Sequence, residues 1–163
     1  MLALRYAALL AAALWTGGLL ALGMFAAPAI FDIVAARGVA EGRVLAGAIF
    51  GEALRRFHLF SYACGAVIIG SLLVRAALGP RPAQTGPRVA IAAVMLATAL
   101  FSGIYLTSRI ERVRAEAGGA PSALAEDDPR RVTFGRLHAA STILQIVPML
   151  GGLALLFWEL RDR

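Results

Sequence analysis

Four long apolar segments alternate with shorter polar ones along the 163-residue chain. The clearest is the last, because no charged residue lies between Arg136 and Glu159. At a rise of ~1.5 Å per residue, an α-helix over this segment crosses the ~30 Å hydrocarbon core of a bilayer. The pattern predicts four membrane-spanning helices, at about residues 6–31, 57–75, 89–108 and 136–158.

The polar segments between these spans predict how the helices begin and end. The sequence GPRPAQTGP after span two is a compact turn that cannot be helical throughout. An amphipathic helical turn or two is expected before span two, and helical charge spacing continues beyond span three, where Glu111 and Arg114 are three residues apart. Asp127 or Asp128, directly before Pro129, is expected to cap the helix of span four. We therefore expect an all-α fold: a single transmembrane domain over residues 1–163, an integral membrane four-helix bundle with short helical extensions at one membrane face.

Polar residues follow helical spacing inside three of the predicted spans. His58, Ser61 and Gly65 share one face of span two, at i, i+3 and i+7. Span four repeats this spacing with the residues His138, Ser141 and Gln145, and its stripe continues through Pro148 and Gly152; the polar face of span three consists of Thr98, Ser102, Tyr105 and Arg109. In lipid an outward-facing histidine or glutamine costs free energy, so these faces are expected to look into the bundle or a water-filled pocket.

The two histidines, His58 and His138, are candidate ligands for a metal or a haem. Each stands near the start of a span, and both spans begin on the same membrane side, so similar depths are expected. Two imidazoles at one level of a bundle could ligate a haem iron, or bind copper or zinc with Ser61, Ser141 or Tyr62 nearby. The same residues could instead hydrogen-bond across helices and fix the packing, or form a proton or small-solute path. The supporting polar face consists of Ser61, Tyr105, Arg109, Ser141 and Gln145.

The charge of the chain adds a membrane-surface component to this picture. The sequence is 60% hydrophobic with a net charge of +6, and its sixteen basic residues are all arginines, gathered at the ends of the apolar runs. Basic side chains in that position usually meet lipid headgroups, so nucleic-acid binding is not expected. Anionic headgroups, haem propionates or another anion are the expected partners of Arg55, Arg56, Arg112 and Arg136, together with Arg109.

Orientation follows from the same arginines. Four spans put both ends of the chain on one side, which carries six arginines against ten on the other. The positive-inside rule then favours the ten-arginine side as cytoplasmic and both termini outside. We expect an integral protein of a bacterial inner (plasma) membrane.

Catalysis by side chains is not favoured. The sequence has no nucleophile elbow, no HExxH and no Gly-rich phosphate loop after a strand. The acidic residues Asp32, Glu52 and Asp127 lie in different segments and form no pair spaced for acid–base work.

Several motifs resemble the transmembrane protein 205-like family. They are WTGGLL with AP and Phe31 in span one, FHLFS at the start of span two, and IYLTSRIERVRAE at the exit of span three. The strongest is FGRLHAAS followed by Gln145, which is similar to the family's Phe-x-x-x-His-x-x-Ser pattern with an amide further along, where the family usually has Asn. The resemblance implies a four-helix integral membrane bundle and no settled chemistry. A looser likeness, through the tryptophan-glycine pattern of span one, is to copper-resistance membrane domains.

We therefore expect a non-enzymatic integral membrane protein in contact with the lipid bilayer. Its polar His/Ser/Gln/Arg pocket, at one end of the bundle, binds a small ligand or organises the bundle. Two alternatives stay open: a haem- or metal-binding protein of redox or metal handling with His58 and His138 as ligands, and an accessory subunit of a larger membrane complex. A homo-oligomer is compatible with each.

Overall fold

The part of the chain that the structure describes is a bundle of four long helices. The structure is a computed structural model that describes residues 1–39, 41–79 and 83–161, and these residues form helices and turns and no strand. The helices are α1 (Leu2–Ala36), α2 (Gly42–Leu78), α3 (Thr85–Glu116) and α4 (Pro129–Arg161). All four are long and apolar enough to cross a membrane. The predicted all-α four-helix membrane fold is confirmed, and the chain is an integral membrane protein.

Each predicted span lies inside one of these helices, and the helices run further. The 37 residues of α2 reach ~55 Å, well beyond the ~30 Å of a hydrocarbon core. Residues 42–56 of α2 and 109–116 of α3 form the predicted extensions. They pack together where the Arg114 guanidinium lies over Gly47, 3.2 Å from the position a Cβ there would take. Residues 80–82 of the predicted turn lie outside the described residues.

We call the end of the bundle with the two extensions the cap face. The opposite end, where α1 and α3 begin and α2 and α4 finish, contains the charged residues Arg5, Arg75, Arg88 and Glu159, and we call it the clamp face. Around the bundle axis, α1 and α3 each pack against both α2 and α4, so the four helices form a ring.

The core between the helices is apolar over its middle and its clamp-face half. Its buried members are Ala11, Ala12, Trp15, Cys64, Ile68, Leu72, Ala92, Met95, Ala99 and Leu155. Close approach of α2 depends on Gly65, where a Cβ would lie 2.9 Å from Leu96 Cδ1 and 3.3 Å from Trp15 Cζ3. Trp15 is 1% exposed and therefore packs the bundle rather than lying at the membrane interface.

Within the described residues, two helices contain a π-type turn. In α1 it covers Leu22–Ala26, and in α3 it covers Phe101–Leu106. The backbone N–H of Thr107 donates to the Ser102 carbonyl, five residues back, and the Thr107 hydroxyl donates to the same oxygen at 3.0 Å. A π-type turn holds an extra residue, so the side chains after it are rotated relative to those before it.

The start of α4 confirms Asp128 as the predicted cap. Asp128 Oδ1 accepts the backbone N–H of Arg130 at 2.8 Å, with Pro129 as the first helical residue. Because the Arg130 side chain and backbone both donate to this carboxylate, they lower the pKa of Asp128 to about 2.

Candidate functional site

His58 lies inside the bundle on the inward face of α2. His58 is 4% exposed and Ser61 is 1% exposed, in agreement with the predicted stripe. The Ser61 hydroxyl donates to the His58 carbonyl oxygen at 2.8 Å, one turn back along the helix. The Nε2 atom of the His58 ring is buried and has no hydrogen-bond partner among the described residues.

The backbone of α3 comes close to this imidazole at Gly103, within the π-type turn. A Cβ on Gly103 would lie 2.9 Å from His58 Cγ and would overlap the Tyr62 hydroxyl. The Tyr62 ring stacks on the imidazole with centroids 6.2 Å apart. Its hydroxyl donates to the Ala99 carbonyl of α3 at 3.4 Å. Glycine at position 103 therefore makes room for both rings.

Helix α4 contributes an amide and a hydroxyl to the same interior. Ser141 and Gln145 are half-buried, and Pro148 and Gly152 further along the predicted stripe are buried. The hydroxyls of Ser141 and Ser102 are 3.5 Å apart. The Nε2 atom of Gln145 is buried and, like His58 Nε2, has no hydrogen-bond partner in the described part of the chain.

His58 and Gln145 lie at the same level along the bundle axis. Gly65 contacts Trp15, and Gly152 contacts the next residue of α1, Thr16, so the two glycines share a level. His58 and Gln145 each lie seven residues, or ~10 Å, closer to the cap face than these glycines.

We call the residues around this level the polar layer: His58, Ser61, Tyr62, Ser102, Ser141 and Gln145. The π-type turn of α3, residues 101–106, contains Ser102. The π-type turn of α1 begins at Leu22, seven residues beyond Trp15, and therefore lies at the same level. π-type turns occur often at functional sites.

The second predicted ligand, His138, lies on the outer surface of the bundle. Its side chain is exposed, and its ring stacks on Phe134 with centroids 5.9 Å apart. At about 100° per residue, His138 is roughly 60° away from Ser141 around the helix, which turns it out of the inward face. The structure gives no support to a metal or haem held by His58 and His138. Among the described residues, no group of three or more His, Cys, Asp and Glu side chains is placed to hold a metal ion.

Tyr105 and Arg109 also lie outside the polar layer. Tyr105 is 50% exposed and Arg109 is exposed, with its guanidinium 5.9 Å from the Tyr105 ring centroid. Ser102 and Leu106, four residues apart, are the buried residues of this turn. Tyr105 is rotated outward by the same turn.

The predicted anion cluster is exposed on the cap face. Arg55 and Arg56 both donate to the Glu52 carboxylate, at 2.7 Å from each Nε. Arg112 and Arg136 are exposed as well. Contact of these arginines with lipid headgroups stays a prediction.

A second charged site, at the clamp face, is built around Glu159 of α4. Its Oε1 accepts from Arg75 at 2.7 Å and lies 3.1 Å from Arg5 Nε, while its Oε2 accepts from Arg88 at 2.9 Å. Arg88 is 2% exposed, Glu159 5% and Arg75 8%. We call these four residues, Arg5, Arg75, Arg88 and Glu159, the Glu159 clamp.

Two of these arginines also bind the backbone of the last turn of α4. Arg88 donates to the Trp158 carbonyl at 3.2 Å, with its guanidinium 5.9 Å from the Trp158 ring centroid, and Arg5 donates to the Glu159 carbonyl. Carbonyls in a last helical turn lack helical partners and carry the negative end of the helix dipole. The arginines therefore cap α4 as well as pairing with its carboxylate.

Comparison with known families decides where the chain belongs. The family model described as "Domain of unknown function (DUF4149)" matches residues 10–118, about two thirds of the chain. The chain belongs to the DUF4149 family. No curated protein and no solved structure matches it. The matched part of this DUF4149 protein contains His58 and Arg88, while Gln145 and Glu159 of α4 lie beyond it. The narrower transmembrane protein 205-like assignment stays a prediction.

The Glu159 clamp of this DUF4149 protein was not predicted from the sequence, because charges at span ends were interpreted as headgroup contacts and Glu159 only as the end of a span. The signal was nevertheless present. Four-span topology puts Arg5, Arg75, Arg88 and Glu159 at one membrane face, and a carboxylate at the edge of the hydrocarbon is expected to pair with nearby arginines.

A small cavity lies directly inside the clamp. Its volume is about 20 Å³, and it is lined by Ala8, Leu9, Ala12, Ile68, Leu72, Arg88, Leu155, Leu156 and Glu159. A space of this size holds about one water molecule. Arg88 and Glu159 are the charged residues of its lining.

Proposed function

We propose that this DUF4149 protein is a non-enzymatic membrane protein that binds a small polar ligand in the polar layer between α2, α3 and α4. The observation that carries the proposal is the pair of buried Nε2 atoms, of His58 and of Gln145, that share one level and have no partner in the described protein. An unsatisfied buried polar group costs about 1–3 kcal/mol. Folds keep such groups where something else completes their hydrogen bonds.

The competing role, organising the bundle, has less support. In that role the imidazole and the amide would hydrogen-bond to neighbouring helices and fix their register. The cross-helix polar contacts of the layer instead come from Tyr62 to the Ala99 carbonyl and from Ser102 to Ser141. His58 Nε2 and Gln145 Nε2 take part in none of these contacts and have no hydrogen-bond partner among the described residues. This favours a ligand over a purely structural role.

The chemistry of the polar layer favours a ligand that accepts hydrogen bonds. The Gln145 amide nitrogen and the serine hydroxyls can donate, and the His58 imidazole can donate or accept. The layer contains no carboxylate, so an organic cation or a metal ion would find no opposite charge there. The ligand class is therefore a small uncharged polar molecule or a small anion. The exposed arginines of the cap face would favour the approach of an anion.

The test is retention of a bound molecule by protein extracted in mild detergent, measured by native mass spectrometry. Wild type should carry an added mass that His58→Leu and Gln145→Leu both lose. The matched control is His138→Leu, which changes an exposed histidine and should keep the mass. Loss in His138→Leu alone, or a wild type without any bound molecule and without a thermal shift from a panel of small hydrogen-bond acceptors, would count against the proposal.

The haem or metal alternative is decided on the same preparations by an absorbance spectrum and elemental analysis. A Soret band or a near-stoichiometric metal that disappears in both His58→Ala and His138→Ala would make these two histidines ligands. A cofactor lost only in His58→Ala would put the site in the polar layer without His138.

The narrower family and the location form part of the proposal. The WTGGLL and FHLFS motifs, which lie inside the matched residues 10–118, support a relation to transmembrane protein 205-like proteins. The count of ten arginines against six supports an orientation with the cap face in the cytoplasm, and the membrane we propose is a bacterial inner membrane. Reporter fusions at Arg163 should then report a non-cytoplasmic end, and a cytoplasmic signal there would reverse the orientation.

A further inference from the structure

We propose that the Glu159 clamp is the closed gate of the polar layer. A ligand reaches His58 and Gln145 from the cap face, and it can leave at the clamp face only when the clamp separates. This inference rests on the proposed function, because it describes access to the same site.

The clamp joins all four helices through one carboxylate. Arg5 belongs to α1, Arg75 to α2, Arg88 to α3 and Glu159 to α4. The three contacts to the carboxylate measure 3.1, 2.7 and 2.9 Å. Loss of this single carboxylate would therefore remove a contact to each of the other three helices at once, leaving only the bonds of Arg5 and Arg88 to backbone carbonyls of α4.

The interior between the clamp and the polar layer is tightly packed and largely apolar. Trp15, Met95 and Leu155 fill it, and they are at most 6% exposed. Thr16 and Ser71 add two buried hydroxyls, and that of Thr16 is pressed against Gly152. The cavity inside the clamp, about 20 Å³, has room for about one water molecule. A solute in the polar layer is thus separated from the clamp face by charged pairs and by a tightly packed core.

The cap-face half of the interior has the opposite character. It contains the polar layer, with its two buried Nε2 atoms that lack partners in the described chain. The π-type turns Leu22–Ala26 and Phe101–Leu106 lie beside it. Such turns interrupt the regular hydrogen-bond ladder and are places where helices bend. This asymmetry between the two halves points to the cap face as the open side.

The experiment measures which membrane face gives a thiol reagent access to the polar layer. Cys64 is the only cysteine, so a Cys64→Ser background makes Gln145→Cys the single reporter. Right-side-out and inverted membrane vesicles are treated with a membrane-impermeant methanethiosulfonate. Two markers identify the face that each vesicle type exposes: Leu2→Cys, 81% exposed at the clamp face, and Ser122→Cys in the exposed cap-face connection.

The reporter should react from the cap face and stay at least tenfold slower from the clamp face. Adding Glu159→Gln should raise the clamp-face rate at least tenfold. Arg5→Gln removes the half-exposed ion pair of Arg5 with Glu159 and keeps the buried contacts of Arg75 and Arg88. It should raise the clamp-face rate by a smaller factor. Glu52→Gln removes a carboxylate from exposed pairs at the cap face and is the matched control, with no expected change.

Each contrary result has its own meaning. Equal reaction from both faces without any clamp mutation would overturn the gate and leave the ligand site standing. An unchanged clamp-face rate in both Glu159→Gln and Arg5→Gln would overturn it as well. No reaction from either face would overturn the gate and the proposed function together, because the polar layer would then be closed to small solutes.

Discussion

The Arg88 guanidinium and the Glu159 carboxylate are 71 residues apart in sequence and 2.9 Å apart in the structure, with side-chain exposures of 2% and 7%. In a bilayer such a pair tethers the start of α3 to the end of α4. It also fixes the clamp-face ends of both helices at the edge of the hydrocarbon.

Removal of the Glu159 charge should destabilise the protein strongly. Glu159→Gln leaves two buried arginines and one half-exposed arginine without their carboxylate, and an uncompensated buried charge costs about 3–5 kcal/mol. Thermal or denaturant unfolding in detergent measures the loss of unfolding free energy. Glu52→Gln, which breaks the exposed pairs with Arg55 and Arg56, should cause little change. Equal losses in the two variants would contradict the account of the clamp.

Arginine should be required at position 88 because it makes several contacts at once. One terminal nitrogen of Arg88 donates to Glu159, the other donates to the Trp158 carbonyl, and the plane lies near the Trp158 ring. Lysine keeps the charge but cannot reproduce this fork. Arg88→Lys should lower the unfolding free energy by about 1–3 kcal/mol, and Arg5→Lys, at a half-exposed site, by clearly less. The reverse order would argue against the buried fork.

Gly103 should tolerate no side chain. A Cβ there would overlap the Tyr62 hydroxyl and lie 2.9 Å from His58 Cγ. Overpacking of this kind costs about 1–3 kcal/mol, so Gly103→Ala should lower the detergent melting temperature and weaken ligand retention. Gly17→Ala is the control, because nothing lies within 4 Å of a Cβ there. Helix propensity should make that change neutral or stabilising by up to about 1 kcal/mol. A stable Gly103→Ala variant that retains its ligand would contradict the described packing.

The first turn of α4 should weaken in acid. Hydrogen bonds from Arg130 lower the pKa of Asp128 in the folded protein to about 2, from 3.8. The cap therefore contributes stability above pH ~4, and this contribution is lost as the pH falls from ~4 through ~2. The protection factor of the Arg130 amide in hydrogen exchange should drop over that range.

Two substitutions separate the Asp128 cap from general acid effects. Asp128→Asn keeps a capping oxygen that does not titrate, so protection should persist in acid. Asp127→Asn, at the exposed neighbouring position, should behave like wild type. An unchanged acid response in Asp128→Asn would refute the assignment.

Much of the fold followed from residue patterns alone. Long charge-free runs predicted the four helices, and the spacing of His58, Ser61 and Gly65 predicted the inward face of α2 correctly. The sequence also predicted that Ser141 and Gln145 of α4 face the bundle, and both are half-buried in the structure. These predictions work because hydrocarbon imposes one strong rule on every polar residue it surrounds.

The rest depended on geometry that a single sequence does not record. The π-type turn at Phe101–Leu106 rotates Tyr105 and Arg109 outward, and periodicity arguments assume an unbroken α-helix. His138 shares polarity with Ser141, but it is exposed at the outer edge of that face. To predict the Glu159 clamp, one must know which charged residues at the helix ends pair with each other. The sequence predicted lipid headgroups as the partners of the arginines instead.

The central claim is that the interior around His58 is occupied by solvent or ligand rather than dry. The most direct test is water-edited solid-state NMR in bilayers on nitrogen-15-histidine protein carrying His138→Gln, which leaves His58 as the only histidine. Polarisation from mobile water or an exchangeable small molecule should reach the His58 ring nitrogens within milliseconds, and Glu159→Gln should not be needed for it. A ring that receives no such polarisation would show a dry, purely structural histidine and contradict the account.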